Sequence, residues 1–153
     1  MKIKQVENYE EKQNIARKIL EELPEWFGIE ESRENYIKES AEQYFFVALD
    51  ENQAKGFLCL KETGKDTIEL SVIGVLKEYH RQNIGKKLFT YAKKFASDHG
   101  YSFIQVKTVQ MGHYEQYDNT NRFYLNLGFK EFEVFPSLWD EWNPCQIYIM
   151  SLH

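Results

Sequence analysis

Near the middle of the chain, a strand-length apolar run leads through a short polar loop directly into an amphipathic helix. The strand is predicted over 67–75 and the helix begins near Ile84. The helix is indicated by side chains that recur every three or four residues, namely Ile84, Leu88, Tyr91, Phe95 and His99. Gly100 then suits the C-terminal cap. A strand that leads into a helix in this way predicts a sheet with helices packed on its faces.

The remaining elements alternate in the same manner. Further strands are predicted over 2–6, 44–50, 54–63, 102–108, 129–135 and 146–151. Further helices are predicted after Asn8, which can cap the first of them, and over about 29–40 and 120–127. The order β-α-α-β-β-β-α-β-α-β-β predicts an α/β (mixed α+β) fold with a largely antiparallel sheet flanked by helices. No linker or repeat divides the chain, so we expect one domain over 1–153.

Charge and cysteine usage narrow the functional classes. The chain has 19 basic and 24 acidic residues, for a net charge of -5, which disfavours a nucleic-acid partner. No apolar run approaches the ~18 residues of a membrane span, and no apolar stretch follows the first lysines as in a secretory signal. Cys59 and Cys145 are far apart and lack a neighbouring metal-ligand pattern. We therefore expect no metal, no membrane partner and a cytoplasmic location.

The loop between the strand and the helix carries the clearest chemical signal. A strand that ends just before a helix begins directs unpaired backbone N–H groups and the positive end of the helix dipole to one place. Asn83 tolerates the left-handed backbone conformation, and Gly85 allows a close approach of a ligand to the backbone. Arg81, Lys86 and Lys87 add positive charge. These features predict an anion site, whereas the alternative is an ordinary helix start with solvated lysines.

Two segments resemble the GNAT superfamily of N-acetyltransferases. The first, IGVLKEYHRQNIG over 73–85, is similar to the acetyl-coenzyme A motif of that family, although His80 and Asn83 depart from the usual residues and Gly85 is retained. The second, TNRFYLNLGF over 120–129, looks like the helix-to-strand signature near the C-terminus of the family. The resemblance implies an enzyme of the GNAT fold that transfers an acetyl group from acetyl-coenzyme A to a primary amine by direct attack.

The resemblance also implies roles for individual residues. The coenzyme would be held by Ile73, Gly74, Val75, His80, Arg81, Gln82, Asn83, Ile84, Gly85 and Lys86. The N–H group of Val75 would polarise the thioester carbonyl, and Tyr124 would protonate the leaving thiolate as general acid. Tyr117 stands where many members have an Asn that contacts the coenzyme, so that contact is not expected here.

The general base is expected to be Glu69, because some members carry a glutamate six residues before the position of Val75. Strand alternation would place Glu69, Ser71, Ile73 and Val75 on one face. His113 is an alternative base.

In this fold the acceptor would lie among three aromatic and acidic segments, and we expect it to contact Glu25, Trp26, Phe27, Tyr114 and Trp139. Carboxylates and aromatic faces attract cations, so a small cationic amine is the expected substrate.

Two alternatives remain open: a module that binds acyl-coenzyme A as a sensor or scaffold without turnover, and a peptide or protein N-acetyltransferase. The presence of both Glu69 and Tyr124 favours an enzyme. Many relatives dimerise, so the resemblance is compatible with a homodimer, but the sequence does not fix the oligomeric state.

Overall fold

The computed structural model describes residues 1–153 and contains one seven-stranded sheet with helices on both faces. The strands are β1 (Lys2–Val6), β2 (Tyr44–Asp50), β3 (Gln53–Glu62), β4 (Thr67–Val75), β5 (Phe103–Val109), β6 (Lys130–Asp140) and β7 (Asn143–Ser151). The α-helices are α1 (Tyr9–Leu20), α2 (Pro24–Phe27), α3 (Glu30–Ser40), α4 (Ile84–Asp98) and α5 (Glu115–Leu127). A single turn of 3-10 helix covers Lys77–Tyr79. No helix has the length and apolar character that a membrane crossing requires.

The strands are arranged in the order β1-β2-β3-β4-β5-β7-β6. Only β4 and β5 are parallel, and every other neighbouring pair is antiparallel. A parallel pair needs a long crossover connection, and α4 supplies it. The predicted mixed, mostly antiparallel sheet flanked by helices is therefore confirmed.

The sheet separates two apolar cores. One core lies under α1 and α3 and includes Ile19, Phe45 and Phe57. The other lies under α4 and includes Leu58 and Leu88. The predicted cap on α1 is also present, because the side chain of Asn8 accepts a hydrogen bond from the Glu11 N–H group at 2.8 Å.

Two helices differ from the sequence prediction. Helix α5 begins at Glu115, five residues before the predicted start. The prediction missed its first turn because that turn is polar and carries no apolar periodicity. The acidic side chains of Glu115 and Asp118 instead stabilise that turn through the helix dipole. The segment after Pro24 also forms the short helix α2, with proline in the first turn where its missing N–H group has no cost.

Strand β4 contains a β-bulge that the sequence did not predict. Cys59 pairs with Val72, but the next residue, Leu60, pairs with Leu70, so that Ser71 is the extra residue on β4. A bulge of one residue reverses the faces of all side chains beyond it.

The bulge determines which of the two cores each side chain of β4 contacts. Ile68 and Leu70 lie in the α4 core before the bulge, and Ile73 and Val75 contact the same core after it. Glu69, between Ile68 and Leu70, therefore points to the opposite face, towards α1 and α3. The expectation that Glu69, Ser71, Ile73 and Val75 share one face is wrong, because the bulge shifts the alternation.

Strands β4 and β5 part halfway along their length. They are paired only over Thr67–Leu70 and Phe103–Val106. Beyond this point β4 continues beside β3, and β5 continues beside β7. The parting leaves a gap in the sheet, and the far half of β4 faces that gap.

Candidate functional site

The backbone of Ile73 and Val75 faces the gap between β4 and β5. The Leu76 N–H group donates to the Lys55 carbonyl oxygen at 2.9 Å, which shows that Leu76 faces β3. In an antiparallel ladder the direction alternates, so the polar groups of Gly74 and Val72 also face β3 and those of Ile73 and Val75 face away. The Val75 carbonyl oxygen lies 2.6 Å from Nε2 of His80. The N–H groups of Ile73 and Val75 are directed to the gap, where an extended ligand can lie beside them.

The loop at the end of this gap offers a run of free backbone donors. Arg81 and Asn83 adopt left-handed φ angles of 68° and 61°. The first helical hydrogen bond of α4 runs from the Lys87 N–H group to the Asn83 carbonyl at 2.9 Å, and the N–H groups of residues 81–86 donate to no other group of the chain. Adjacent free N–H groups at a helix N-terminus form a concave binding place for an anion. The residues present therefore fit a pyrophosphate group.

Gly85 is required for packing as well as for access to the backbone. A Cβ atom added to Gly85 would lie 3.0 Å from the ring of Phe123 on α5 and 3.9 Å from Ile73. The missing side chain thus lets α5 close against the first turn of α4. The sequence predicted only an approach of the ligand to this glycine.

Tyr124 is buried in the core under α4, beside the rings of Phe129 and Tyr148. Its burial raises the pKa of the hydroxyl, and the nearby Tyr36 raises it further. No hydrogen bond to another group of the chain contributes to that pKa. Tyr124 therefore carries its proton at neutral pH and has no internal acceptor for it.

Glu69 is only 6% exposed and lies next to one cation. Its Oε1 atom is 3.0 Å from Nζ of Lys107 on β5, and no aligned hydrogen bond reaches this buried oxygen. The ring of Tyr124 belongs to the core under α4, whereas Glu69 projects from the face covered by α1 and α3.

The sequence analysis missed Tyr36, which lies on α3 and faces this region. The surrounding protein raises the pKa of its hydroxyl, and the charges of Tyr117, Glu39 and Glu69 raise it further. The residue is nevertheless 37% exposed, so part of it reaches the solvent. No sequence signal marks it, because α3 is polar on most sides and its orientation depends on packing.

One family of known proteins matches the chain. The acetyltransferase (GNAT) domain family matches residues 41–131, which is more than half of the chain. The chain belongs to the GNAT acetyltransferases. The family expected from the two sequence motifs is thereby confirmed. No functionally curated protein matches the chain.

Solved structures of acetyltransferases share the fold. Aminoglycoside 6'-acetyltransferase type Ii superposes with a TM-score of 0.80 at 22% identity over 100% of this chain and 98% of that chain. The aminoglycoside 6'-N-acetyltransferase from Enterococcus faecium gives a TM-score of 0.76 at 18% identity, with coverage of 100% and 98%. The PaiA N-acetyltransferase from Thermoplasma acidophilum, solved with coenzyme A, gives 0.74 at 22% identity, with coverage of 99% of both chains. At these identities the likeness establishes the GNAT fold.

Helix α2 of this GNAT protein is docked against the first turn of α5. Nε1 of Trp26 donates to the Gln116 carbonyl at 3.3 Å, and the Tyr117 hydroxyl donates to the Trp26 carbonyl at 3.5 Å. The ring of Tyr114 lies 6.0 Å from that of Tyr117, and the ring of Trp26 lies 6.1 Å from that of His80. This contact brings the expected acceptor segments 25–27 and 114–117 together at the gap.

Other residues expected at the acceptor site are arranged differently. Phe27 packs edge-on against Tyr36 at 5.5 Å, whereas Glu25 forms an ion pair with Lys77. Trp139 is exposed on β6, and no hydrogen bond, ion pair or ring contact joins it to α2 or α5. His113 is exposed in the loop before α5. The structure therefore assembles the expected segments of α2 and α5 but leaves Trp139 apart from them.

Proposed function

We propose that this GNAT protein transfers an acetyl group from acetyl-coenzyme A to the primary amine of a small cationic molecule by direct attack. The observation that carries the proposal is the gap between β4 and β5, which leads from the free N–H groups of residues 81–86 to the unpaired N–H groups of Ile73 and Val75. A continuous line of donors of this kind suits a ligand with a pyrophosphate at one end and an amide-bearing arm at the other. Coenzyme A has both features.

In this proposal the loop and the first turn of α4 hold the pyrophosphate. The backbone of Arg81, Gln82, Asn83, Ile84, Gly85 and Lys86 provides the donors, and the exposed side chains of Arg81 and Lys86 add charge. The pantetheine arm lies beside Ile73, Gly74 and Val75, with His80 at the end of the strand. The Val75 N–H group then polarises the thioester carbonyl and stabilises the oxyanion that forms on it.

The two candidate proton carriers lie on either side of the gap. Glu69 accepts a proton from the attacking amine, directly or through water, while Tyr124 donates a proton to the sulfur as the C–S bond breaks. Burial supports the role of Tyr124, because a raised pKa keeps the hydroxyl protonated until the thiolate appears. The ring of Tyr124 in the α4 core and the carboxylate of Glu69 on the other face support the division of roles, since the two groups can reach the gap from different sides.

The acceptor lies over the aromatic side chains of α2 and α5. Trp26, Phe27 and Tyr114 offer ring faces to a cation, and Tyr36, whose ring contacts that of Phe27, adds a polar side chain beside them. Glu25 contributes less charge than the sequence suggested, because Lys77 compensates it. Trp139 takes part only if its hairpin moves towards the acceptor. Two of the structural neighbours are named aminoglycoside acetyltransferases, and this supports a small amine as substrate.

Domain organisation, assembly and location follow as proposals of the same kind. Residues 1–153 form one domain, an inference supported by the single sheet that runs from β1 to β6. The edge strand β6 exposes Phe132, Phe135 and Leu138, which supports a homodimer through this edge. A cytoplasmic location is supported by Cys59 and Cys145, which are both buried and unpaired.

Thiol release from acetyl-coenzyme A in the presence of a panel of amines tests the proposed function. Small cationic amines should give turnover, whereas acceptor peptides of similar charge should give little. Coenzyme A alone should raise the melting temperature by mass action. Coenzyme binding without thiol release for any amine would favour the alternative of a silent acyl-coenzyme A sensor or scaffold. Faster release with peptides would favour a peptide N-acetyltransferase.

A further inference from the structure

We propose that Lys107 is a positioning residue, whose ammonium group compensates the charge of the buried Glu69 carboxylate and holds it at the gap, and thereby selects the neutral form of the acceptor amine. The inference rests on the proposed function, since it assigns Glu69 as the base. It adds a residue that neither of the two sequence motifs contains.

The geometry places Lys107 at the point where the strands part. Glu69 is in register with Gln105 of β5, so Lys107, two residues further, projects from the same face of the sheet. The last paired residues are Leu70 and Val106, which makes Lys107 the first residue of β5 beyond the pairing. Its Nζ atom lies 3.0 Å from Oε1 of Glu69, with the two side chains 31% and 8% exposed. The ion pair therefore spans the base of the gap.

Lys107 is also the only cation in contact with Glu69. The other titratable groups that face this carboxylate are Tyr36 from α3 and Cys145 from β7. Burial raises the pKa of the Cys145 thiol to about 11, against a smaller opposing effect of Lys107, and the pKa of Tyr36 is raised as well. Both groups are thus neutral at pH 7. Lys107 is therefore the one contact that compensates the charge of this buried carboxylate, and a buried carboxylate without such a charge favours its protonated form.

The ion pair of Lys107 and Glu69 affects which form of the acceptor amine can approach. Because Lys107 already balances the charge of Glu69, a protonated amine gains no net attraction there. A neutral amine can approach and attack the acetyl carbon. The new C–N bond forms and the C–S bond breaks, the amine proton passes to Glu69, and Tyr124 protonates the thiolate. Glu69 then releases its proton to water and Tyr124 regains one, so that the protons balance.

The test compares Lys107→Met, which removes the charge at similar volume, with Lys107→Arg, which retains it. The measurement is the pH–rate profile of thiol release at saturating acetyl-coenzyme A with one amine from the panel. For Lys107→Met we expect the acid limb to move to higher pH by about one unit or more, with turnover at neutral pH reduced by about 10–100-fold. Lys107→Arg should keep the limb of the unmodified protein. Coenzyme affinity should be unchanged in both variants.

A profile of Lys107→Met that superimposes on that of the unmodified protein, whatever its height, would overturn the inference. The Glu69→Gln background gives an independent reading. In the Glu69→Gln protein, Lys107→Met should cause no further loss of turnover. A loss of turnover as large as in the protein with Glu69 intact would show that Lys107 acts elsewhere.

A second variant separates the loss of the charge from a folding defect. Lys107→Cys can be alkylated with 2-bromoethylamine, which restores an ammonium group of nearly the length of lysine. Cys59 and Cys145 are both 0% exposed, so the reaction is confined to the new thiol. Alkylation should return the acid limb to its original position, and a limb that stays shifted would contradict the role of the charge.

Failure of this inference is distinguishable from failure of the proposed function. An unmodified protein that binds no coenzyme and releases no thiol would overturn both. An active protein whose pH–rate profile does not change with the charge at position 107 would overturn only the role of Lys107.

Discussion

The ring of Phe123 on α5 lies 3.0 Å from the point where a Cβ atom of Gly85 would stand on α4. This contact joins the two helices that border the proposed coenzyme site. The glycine of the coenzyme loop is therefore also a packing residue, and its replacement affects stability before any ligand is present.

We expect Gly85→Ala to lower the free energy of unfolding by about 1–3 kcal/mol, because the ring of Phe123 has to move aside. Gly64→Ala is the matched control, since no atom lies within 4 Å of the Cβ position there. Urea unfolding of both variants measures the difference. Adding Phe123→Leu to Gly85→Ala should recover part of the loss. Equal stability of the two glycine variants would contradict the packing role.

Tyr124→Phe should reduce turnover by about 10–10⁴-fold and leave the fold intact, because the hydroxyl has no hydrogen-bond partner within the chain. Thiol-release kinetics and the melting temperature check the two halves of this prediction. Tyr91→Phe on the exposed side of α4 is the control and should have the activity of the unmodified protein. Unchanged turnover in Tyr124→Phe would assign the residue to the core alone.

Glu69→Gln should slow the reaction at neutral pH and recover part of the rate at alkaline pH, where more of the free amine is already neutral. Coenzyme affinity should hardly change, since most of β4 separates Glu69 from the loop that we propose for the pyrophosphate. The pH–rate profile with a single amine is the measurement. His113→Ala, in an exposed loop, should have no effect. A slower reaction in His113→Ala together with an unchanged pH–rate profile in Glu69→Gln would make His113 the base.

Asn121 should be essential for stability, because it is fully buried and joins three elements. Its Nδ2 atom donates to the carbonyls of Val109 and Tyr117 at 2.9 Å and 2.6 Å, and its Oδ1 accepts from the Tyr148 hydroxyl at 2.6 Å. Asn121→Leu leaves these groups unpaired, at a cost of about 1–3 kcal/mol for each buried group. The double variant with Tyr148→Phe should lose less than the sum of the two single losses. Strict additivity in urea unfolding would argue against the network.

The stability of the protein should fall at alkaline pH. Burial raises the pKa of the Cys145 thiol from 9.0 to about 11, so the folded chain keeps a proton that the unfolded chain loses over this range. The stabilisation is complete below pH 9 and is lost as the pH rises towards 11. Urea unfolding across these pH values should show the decline, with a shallower slope in Cys145→Ala. Identical slopes would show that this thiol does not contribute.

Local patterns were sufficient for much of this fold. The cap at Asn8, the helix that begins at Ile84 and the order of the strands follow from spacings of a few residues, because capping and periodicity act over one or two turns. The two motifs around Gly85 and Tyr124 were enough to predict the GNAT family, which the domain match confirms. Helix α5 was predicted too short, since its first turn is held by charge rather than by apolar spacing.

The arrangement around the gap, by contrast, depends on contacts between distant parts of the chain. The bulge at Ser71 depends on the register of β3 against β4, and an ordinary serine gives no local sign of it. This one-residue shift turns Glu69 away from Ile73 and towards α3, where Lys107 and Tyr36 lie near it. Strand register is set by packing between residues that are distant in sequence. For this reason the motifs alone were enough to propose residues for acetyl transfer, whereas the packing of the sheet establishes which of them meet.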